Sequence, residues 1–161
     1  MVERTSTPRT PLSLPGAHVL IIESPYYGDV ADALRTGAVA EIEAAEATYE
    51  IVSVPGALEI GQALAIAMDS DLSIEFEGVV ALGCVIRGET GHYDIVCTNA
   101  NHWLYTNANA YDIPVGNAIL TVDTHAQAMA RASGGRAGKG GDAAYACLSL
   151  IALRRKLMID D

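Results

Sequence analysis

The chain has 161 residues, with 20 acidic and 10 basic side chains, so its formal net charge is −10. That length suits one domain, and the acidic balance argues against a nucleic-acid binder or a protein that docks on anionic membranes. Half of the residues are hydrophobic, which excludes intrinsic disorder. Three irregularly spaced cysteines predict neither a disulfide framework nor a zinc site. With no apolar leader and no run of about 20 apolar residues, the sequence predicts a cytoplasmic protein.

Residues 1–16 are rich in Thr, Ser and Pro and predict a tail without regular structure. They could alternatively supply a fifth strand, added to the sheet of a neighbouring subunit. Residues 17–161 are then expected to form a single domain.

From residue 18 onward, short apolar runs alternate with helical patterns. Residues 18–23 (HVLIIE) predict a buried strand, and apolar spacings of three and four predict a helix at 29–46, with Asp29 as its N-cap. The later elements are a strand at 48–54, a helix at 57–68, a strand at 79–86, a helix at 91–110, a strand at 114–121, a helix at 125–132 and, after a glycine-rich loop, a helix at 142–157. This alternation predicts an α/β fold, a three-layer α/β/α sandwich around a four-stranded parallel sheet.

In open parallel sheets, ligands bind beyond the carboxyl ends of the strands. Four segments fall there, at residues 24–27, 55–59, 87–92 and 116–118. The segment 88–92 (GETGH) joins a strand to a helix start, where free N–H groups and the Thr90 hydroxyl favour an anion such as phosphate. His92 can exchange protons near neutral pH. Taken alone, the segment fits equally well a turn with a capping threonine and a surface histidine.

The other candidates in these segments are weaker when taken singly. Glu59 could bind a polyol or an amine, but a carboxylate at a helix start more often serves the helix dipole. Tyr26 and Tyr27 could stack on a planar ring, although loop packing is the simpler interpretation. The segment 134–141 (GGRAGKGG) lacks the phosphate-loop pattern, so a nucleoside triphosphate site is rejected. Arg131, which precedes this segment, and Lys139, which lies within it, could hold an anion or simply face solvent.

Several motifs together resemble the 6,7-dimethyl-8-ribityllumazine synthase family. They comprise VPGALE at 54–59, VIRGETGHYD at 85–94, Pro114-Val115, Leu120-Thr121, Gln127-Ala128 with Arg131-Ala132, and Lys139-Gly140. Their order and spacing cover residues 18–157, and the stretch 85–94 is highly specific.

The resemblance implies the penultimate step of riboflavin synthesis. In that reaction 5-amino-6-(D-ribitylamino)uracil condenses with 3,4-dihydroxy-2-butanone 4-phosphate and releases phosphate and water, without a cofactor or a metal. The family forms pentamers with active sites between neighbouring subunits, and many members assemble twelve pentamers into a shell. The short glycine-rich segment after Arg131 resembles that of shell-forming members. Riboflavin synthase is an implied partner; nucleic acid and membrane are not.

The family's roles carry over to individual positions of this chain. Tyr26 would stack on the pyrimidine, Val85 and Ile86 would line its site, and His92 would transfer protons. The remaining substrate-binding positions are Ala57, Leu58 and Glu59 for the ribityl chain, Glu89 and Thr90 for phosphate, Asn117 near the pocket wall, and Arg131 for phosphate with Lys139 for the ribityl side, both from the neighbouring subunit.

Some positions depart from the family pattern. The family often has Arg-Phe-Asn at positions 25–27, where this chain has Pro-Tyr-Tyr, and an aromatic residue at position 117, where it has Asn. An alternative hypothesis is therefore a catalytically weak paralogue that binds flavin or lumazine, or forms a scaffold shell. A flavodoxin-like electron carrier is disfavoured, because the segment after the first strand offers one hydroxyl and a proline without an N–H.

Overall fold

The computed structural model describes residues 9–71 and 75–158. Within these residues strands and helices alternate along the chain. The strands are β1 (His18–Glu23), β2 (Thr48–Ser53), β3 (Gly78–Ile86) and β4 (Val115–Val122). The α-helices are α1 (Gly28–Ala44), α2 (Leu58–Met68), α3 (His92–Ala110), α4 (His125–Ala132) and α5 (Lys139–Leu157), with a 3₁₀ turn at Gly135–Ala137 before α5.

The four strands form one parallel sheet in the order β2-β1-β3-β4. Strand β1 is central, and its Ile21 pairs with Ile51 of β2 on one side and Val80 of β3 on the other. Strands β1 and β3 are almost wholly buried, whereas edge strand β2 is mostly exposed. This confirms the predicted α/β fold with its parallel sheet, because unbroken apolar strands need helices on both faces.

The helices cover the two faces of the sheet in separate layers. One core contains Ile21 with residues of α1, α4 and α5, such as Leu34 and Leu148. The other contains Leu20 with residues of α2 and α3, such as Leu104. Successive strand residues point to opposite faces, so β1, β3 and β4 each contribute to both cores. Site residues carried by a helix can therefore be assigned to one face of the sheet.

Of the five predicted helix starts, that at 125 is confirmed, those at 57 and 91 are one residue early, and those of α1 and α5 need correction. Helix α1 begins at Gly28, so Asp29 is in its first turn and is not the N-cap. Helix α5 begins at Lys139, three residues before the predicted start, and takes in part of the glycine-rich segment. A Cβ on Gly140 would lie 2.0 Å from the carbonyl oxygen of Leu34, so this glycine permits α5 to touch α1 backbone to backbone. The role of Gly140 in this fold is helix packing.

The described part of the predicted tail packs on its own chain. The N–H of Leu14 donates to the carbonyl of Ala45 at 2.8 Å, and Arg9 forms ion pairs with Glu41 and Asp142. Residues 1–8, which belong to the predicted tail or exchanged strand, lie outside the described residues. Within residues 9–71 and 75–158, no helix has the length and apolar character needed to cross a membrane.

Candidate active site

An open cleft of about 330 Å³ lies where the loops after β1, β2 and β3 meet the start of α3. These loops meet because parallel strands end at the same edge of the sheet. The residues lining the cleft are Tyr26, Tyr27, Gly56, Ala57, Leu58, Glu59, Cys84, Val85, Ile86, His92 and Val96. Seven of the predicted site residues are thus brought together.

The loop after β1 presents two tyrosine rings to this cleft. Tyr26 is 73% exposed, and its ring meets that of Tyr27 edge-on, with centroids 5.0 Å apart. Tyr27 is half-buried, and desolvation raises the pKa of its hydroxyl. The inner ring thus supports the outer one, which is free to stack on a planar ligand.

The loop after β2 leads to a carboxylate in the lining of the same cleft. Glu59 is exposed in the first turn of α2. A Cβ on Gly56 would lie 3.0 Å from Glu59 Oε2, so the carboxylate turns back over the loop. At this position it can accept hydrogen bonds from a ligand's hydroxyl groups.

The loop after β3 sets His92 as the first residue of α3. The N–H of His92 donates to Thr90 Oγ at 3.3 Å, which stabilises the turn before the helix. At the start of this loop, Arg87 Nε donates to Asp123 Oδ1 at 3.0 Å, and its guanidinium lies 4.2 Å from the centre of the Tyr93 ring. These contacts anchor both ends of the loop, and His92 stays exposed at the cleft.

The floor of the cleft is apolar. Val85 and Ile86 close strand β3, and Val96 follows His92 by one turn of α3. Cys84 is buried beside them, and its burial raises the pKa of the thiol to about 11, so the thiol remains protonated at neutral pH. The sequence analysis named neither Cys84 nor Val96 as a lining residue, although the i+4 spacing of Val96 from His92 indicates the same helix face.

Five predicted site residues do not line the cleft. Glu89 and Thr90 are exposed in the loop before His92. Asn117 is half-buried in β4, where its Nδ2 donates to Asn101 Oδ1 at 2.6 Å. The other two are Arg131, which donates to the carbonyl of Gln127 at 3.2 Å, and Lys139, whose Nζ lies 3.5 Å from Asp142 Oδ2.

Arg131 and Lys139 lie in the helix layer on the far face of the sheet from α3. Helices α4 and α5 pack in the core that contains α1, whereas α3 packs with α2 on the other face. The described lining of the cleft itself contains neither Lys nor Arg. The described residues of one chain therefore supply an aromatic ring, a carboxylate and an imidazole to the cleft, but no Lys or Arg side chain.

The chain resembles one protein family over most of its length. Residues 16–155 match the family model of 6,7-dimethyl-8-ribityllumazine synthase. Proteins of that name from Methylobacterium radiotolerans and Azorhizobium caulinodans are each 51% identical over 143 residues, which is 89% and 88% of this chain and 85% and 88% of theirs. A 6,7-dimethyl-8-ribityllumazine synthase 1 from Rhodopseudomonas palustris is 49% identical over 144 residues, 88% of each chain.

Proposed function

Since the chain belongs to the 6,7-dimethyl-8-ribityllumazine synthase family, transferases of riboflavin biosynthesis, we propose that its cleft condenses 5-amino-6-(D-ribitylamino)uracil with 3,4-dihydroxy-2-butanone 4-phosphate. The observation that carries this assignment is the meeting of Tyr26, Glu59 and His92 in one cleft. These side chains come from three separate loops and offer a stacking surface, a polyol acceptor and a proton-transfer group.

The pyrimidine substrate fits the deeper part of this cleft. Its ring stacks on Tyr26 and rests on the apolar side chains of Val85 and Ile86. Its ribityl chain runs along the start of α2, where Ala57 and Leu58 give it a surface and Glu59 accepts its hydroxyl hydrogen bonds. Such a pose leaves the reacting amine beside His92.

The chemistry consists of an amine attacking a ketone, loss of phosphate and water, and ring closure. Holding both substrates together supplies much of the rate, about 7 kcal/mol of the barrier in favourable cases. His92 moves protons between the amine nitrogen and the departing oxygen, a contribution of about 10²–10⁴-fold. Loss of His92 is therefore expected to slow the enzyme without abolishing its activity.

The phosphate of the second substrate binds at the loop before α3. Glu89 and Thr90 offer backbone N–H groups at the positive end of that helix. Because the described cleft lining has no cation, the balancing charge comes from a neighbouring subunit, whose Arg131 binds the phosphate and whose Lys139 faces the ribityl side. Asn117 forms the adjoining wall.

The enzyme acts as a homopentamer in which each active site is shared by two subunits, and its pentamers build a 60-subunit shell. Exposed apolar side chains on the outer surface of α3, including Ile95, Trp103 and Tyr105, favour such contacts. Residues 17–161 act as one domain, and the cytoplasm is the site of action. Riboflavin synthase is the expected partner.

Subunit complementation tests the shared site. His92→Gln and Arg131→Ala chains are purified separately, then unfolded and refolded as an equal mixture. Random assembly gives about a quarter of the sites an intact His92 facing an intact Arg131. We expect the mixture to regain about that share of wild-type activity, measured with both substrates and with the ketone phosphate well below its Michaelis constant, where loss of Arg131 slows the reaction.

The control is refolding of each variant alone, which should restore no activity beyond its own. A mixture no more active than the mean of its two parents would contradict the shared site. An inactive wild-type chain would contradict the assigned reaction itself.

A further inference from the structure

Three metal-ligating side chains converge near the amino-terminal ends of the strands, away from the cleft. His18 is the first residue of β1, Glu50 belongs to β2, and Glu75 lies shortly before β3. A ligand atom of each lies within 4.8 Å of the other two. None of the three lines the cleft, so the cluster is independent of the proposed reaction.

Hydrogen bonding prepares the His18 ring for a metal ion. Its Nδ1 lies 2.7 Å from Thr48 Oγ, and that hydroxyl donates to the carbonyl of Ala17 at 3.4 Å. When this hydroxyl accepts from Nδ1–H, the lone pair of the neutral ring lies on Nε2. Metal-binding histidines typically donate their second nitrogen in this way.

The free nitrogen faces negative charge. His18 Nε2 lies 3.4 Å from Glu50 Oε2, and a carboxylate oxygen of Glu75 lies within 4.8 Å of a ligand atom of each of the two. A cation bound at this nitrogen would be attracted by both carboxylates.

The cluster is also held rigidly. The His18 ring stacks on Phe76 with centroids 5.3 Å apart and planes 11° apart, and the N–H of Glu77 donates to the His18 carbonyl at 2.9 Å. His18 pairs with Thr48 in the β1–β2 register, so Glu50, two residues later, lies on the same face. Only the two glutamate side chains must adjust to a ligand.

We propose that His18, Glu50 and Glu75 bind a divalent transition-metal ion, and that zinc suits them best. One imidazole nitrogen and two carboxylate oxygens are common zinc ligands, and a water completes a tetrahedral site. Ligands of one zinc ion lie about 3–4 Å apart, so glutamate movements of about 1 Å complete the site. The ion links β1, β2 and the segment before β3, which is a structural role.

Zinc titration of the metal-free, full-length protein tests this site. Isothermal titration calorimetry at pH 7 should show that each wild-type chain binds one zinc ion and that this binding requires His18. The variants His18→Gln, Glu50→Gln and Glu75→Gln should each weaken binding about tenfold or more, and Thr48→Val should weaken it about 10–100-fold through the ring orientation. His125→Gln is the matched control, because His125 pairs with the single carboxylate of Asp29. It should bind zinc like the wild type.

Thermal unfolding gives a second measurement, because an ion that binds only the folded state raises the melting temperature. Zinc should raise it for the wild type and for His125→Gln, but not for His18→Gln. A crystal soaked in zinc should show the anomalous peak between His18 Nε2 and the two carboxylates. Zinc binding that survives in His18→Gln, or no saturable binding by the wild type, would overturn the proposal.

Discussion

Glu23 and Arg35 form a two-point ion pair at the base of the loop that carries Tyr26. Arg35 Nε donates to Glu23 Oε2 at 2.9 Å, and Nη2 donates to Oε1 at 3.1 Å. Glu23 is 5% exposed and also accepts from Ser53 Oγ at 3.2 Å, so the pair joins β1, α1 and β2 beneath the cleft. The hydrogen bond to Glu23 raises the pKa of Arg35, which stays charged.

Arg35→Met should destabilise the fold because it leaves the buried Glu23 carboxylate without its partner. We expect the free energy of unfolding to fall by about 3 kcal/mol. This value is at the lower end of the range for breaking a buried ion pair, because the Arg35 side chain is a third exposed. Urea unfolding at fixed protein concentration measures it. Arg87→Met is the control, since its partner Asp123 is exposed, and should cost less than about 1 kcal/mol. Equal losses in the two variants would contradict this account.

Tyr26→Ala should weaken binding of the pyrimidine substrate, because the ring that stacks on it is removed. By analogy with stacking of bases on aromatic side chains, we expect a loss of about 1–3 kcal/mol. The Michaelis constant for the pyrimidine, measured at saturating ketone phosphate, reports the change. Tyr26→Phe keeps the ring and should bind like the wild type, and a similar loss in both variants would point to the hydroxyl instead.

Arg131→Ala should raise the Michaelis constant for the phosphorylated ketone and leave that for the pyrimidine nearly unchanged. A hydrogen bond to a charged group contributes about 1.5–3 kcal/mol, which corresponds to a rise of about tenfold or more. Steady-state kinetics with each substrate varied in turn separates the two constants. Lys156→Ala, an exposed cation in the last turn of α5, is the matched control. An unchanged constant in Arg131→Ala would remove that residue from the phosphate site.

Gly140→Ala should destabilise the protein because its Cβ would meet the Leu34 carbonyl at 2.0 Å and push α5 away from α1. Overpacking of this kind costs about 1–3 kcal/mol. Gly28→Ala is the control, since a Cβ there meets nothing within 4 Å, and it should leave stability unchanged or slightly raised. Differential scanning calorimetry of both variants compares the two glycines directly, and equal melting temperatures would contradict the close packing.

Cys147 should make the protein less stable at alkaline pH. Burial raises the pKa of its thiol from 9.0 to about 12, so the folded state holds this proton more tightly than the unfolded state. That stabilisation is complete below pH 9 and is lost as the pH rises towards 12. Urea unfolding at pH 8 to 11 should therefore show the advantage of wild type over Cys147→Ala shrinking as the pH rises. A difference in stability between wild type and Cys147→Ala that stays constant with pH would contradict the prediction. Cys97→Ala, which removes a half-buried thiol, is the control.

The strand and helix pattern was readable from the residues. The strand at 18–23 and the helix at 125–132 are confirmed residue for residue, because each is bounded by a clear change of hydrophobic period. The start of α5 was not readable, since glycines favour a loop in isolation. Gly140 packs in α5 against the backbone of Leu34, about a hundred residues away, and a contact of that range leaves no local signal in the sequence.

The candidate site was predicted in part. Tyr26, Glu59 and His92 could be placed at one edge of the sheet because parallel strands end together. Three other features could not be predicted: the half-buried position of Tyr27, the protonated thiol of Cys84 and the cluster of His18, Glu50 and Glu75. They depend on side-chain packing between distant segments, which no local sequence pattern encodes.

The residues alone determined the class of fold, the order of its elements and the family, since these follow from local periodicity and from motifs that can be read along the chain. The tertiary structure decided which loops share a cleft and which cations lie on the other face of the sheet. The physical reason is that hydrophobic period reports whether a residue is buried, whereas proximity between segments arises only when the two cores have closed on the sheet.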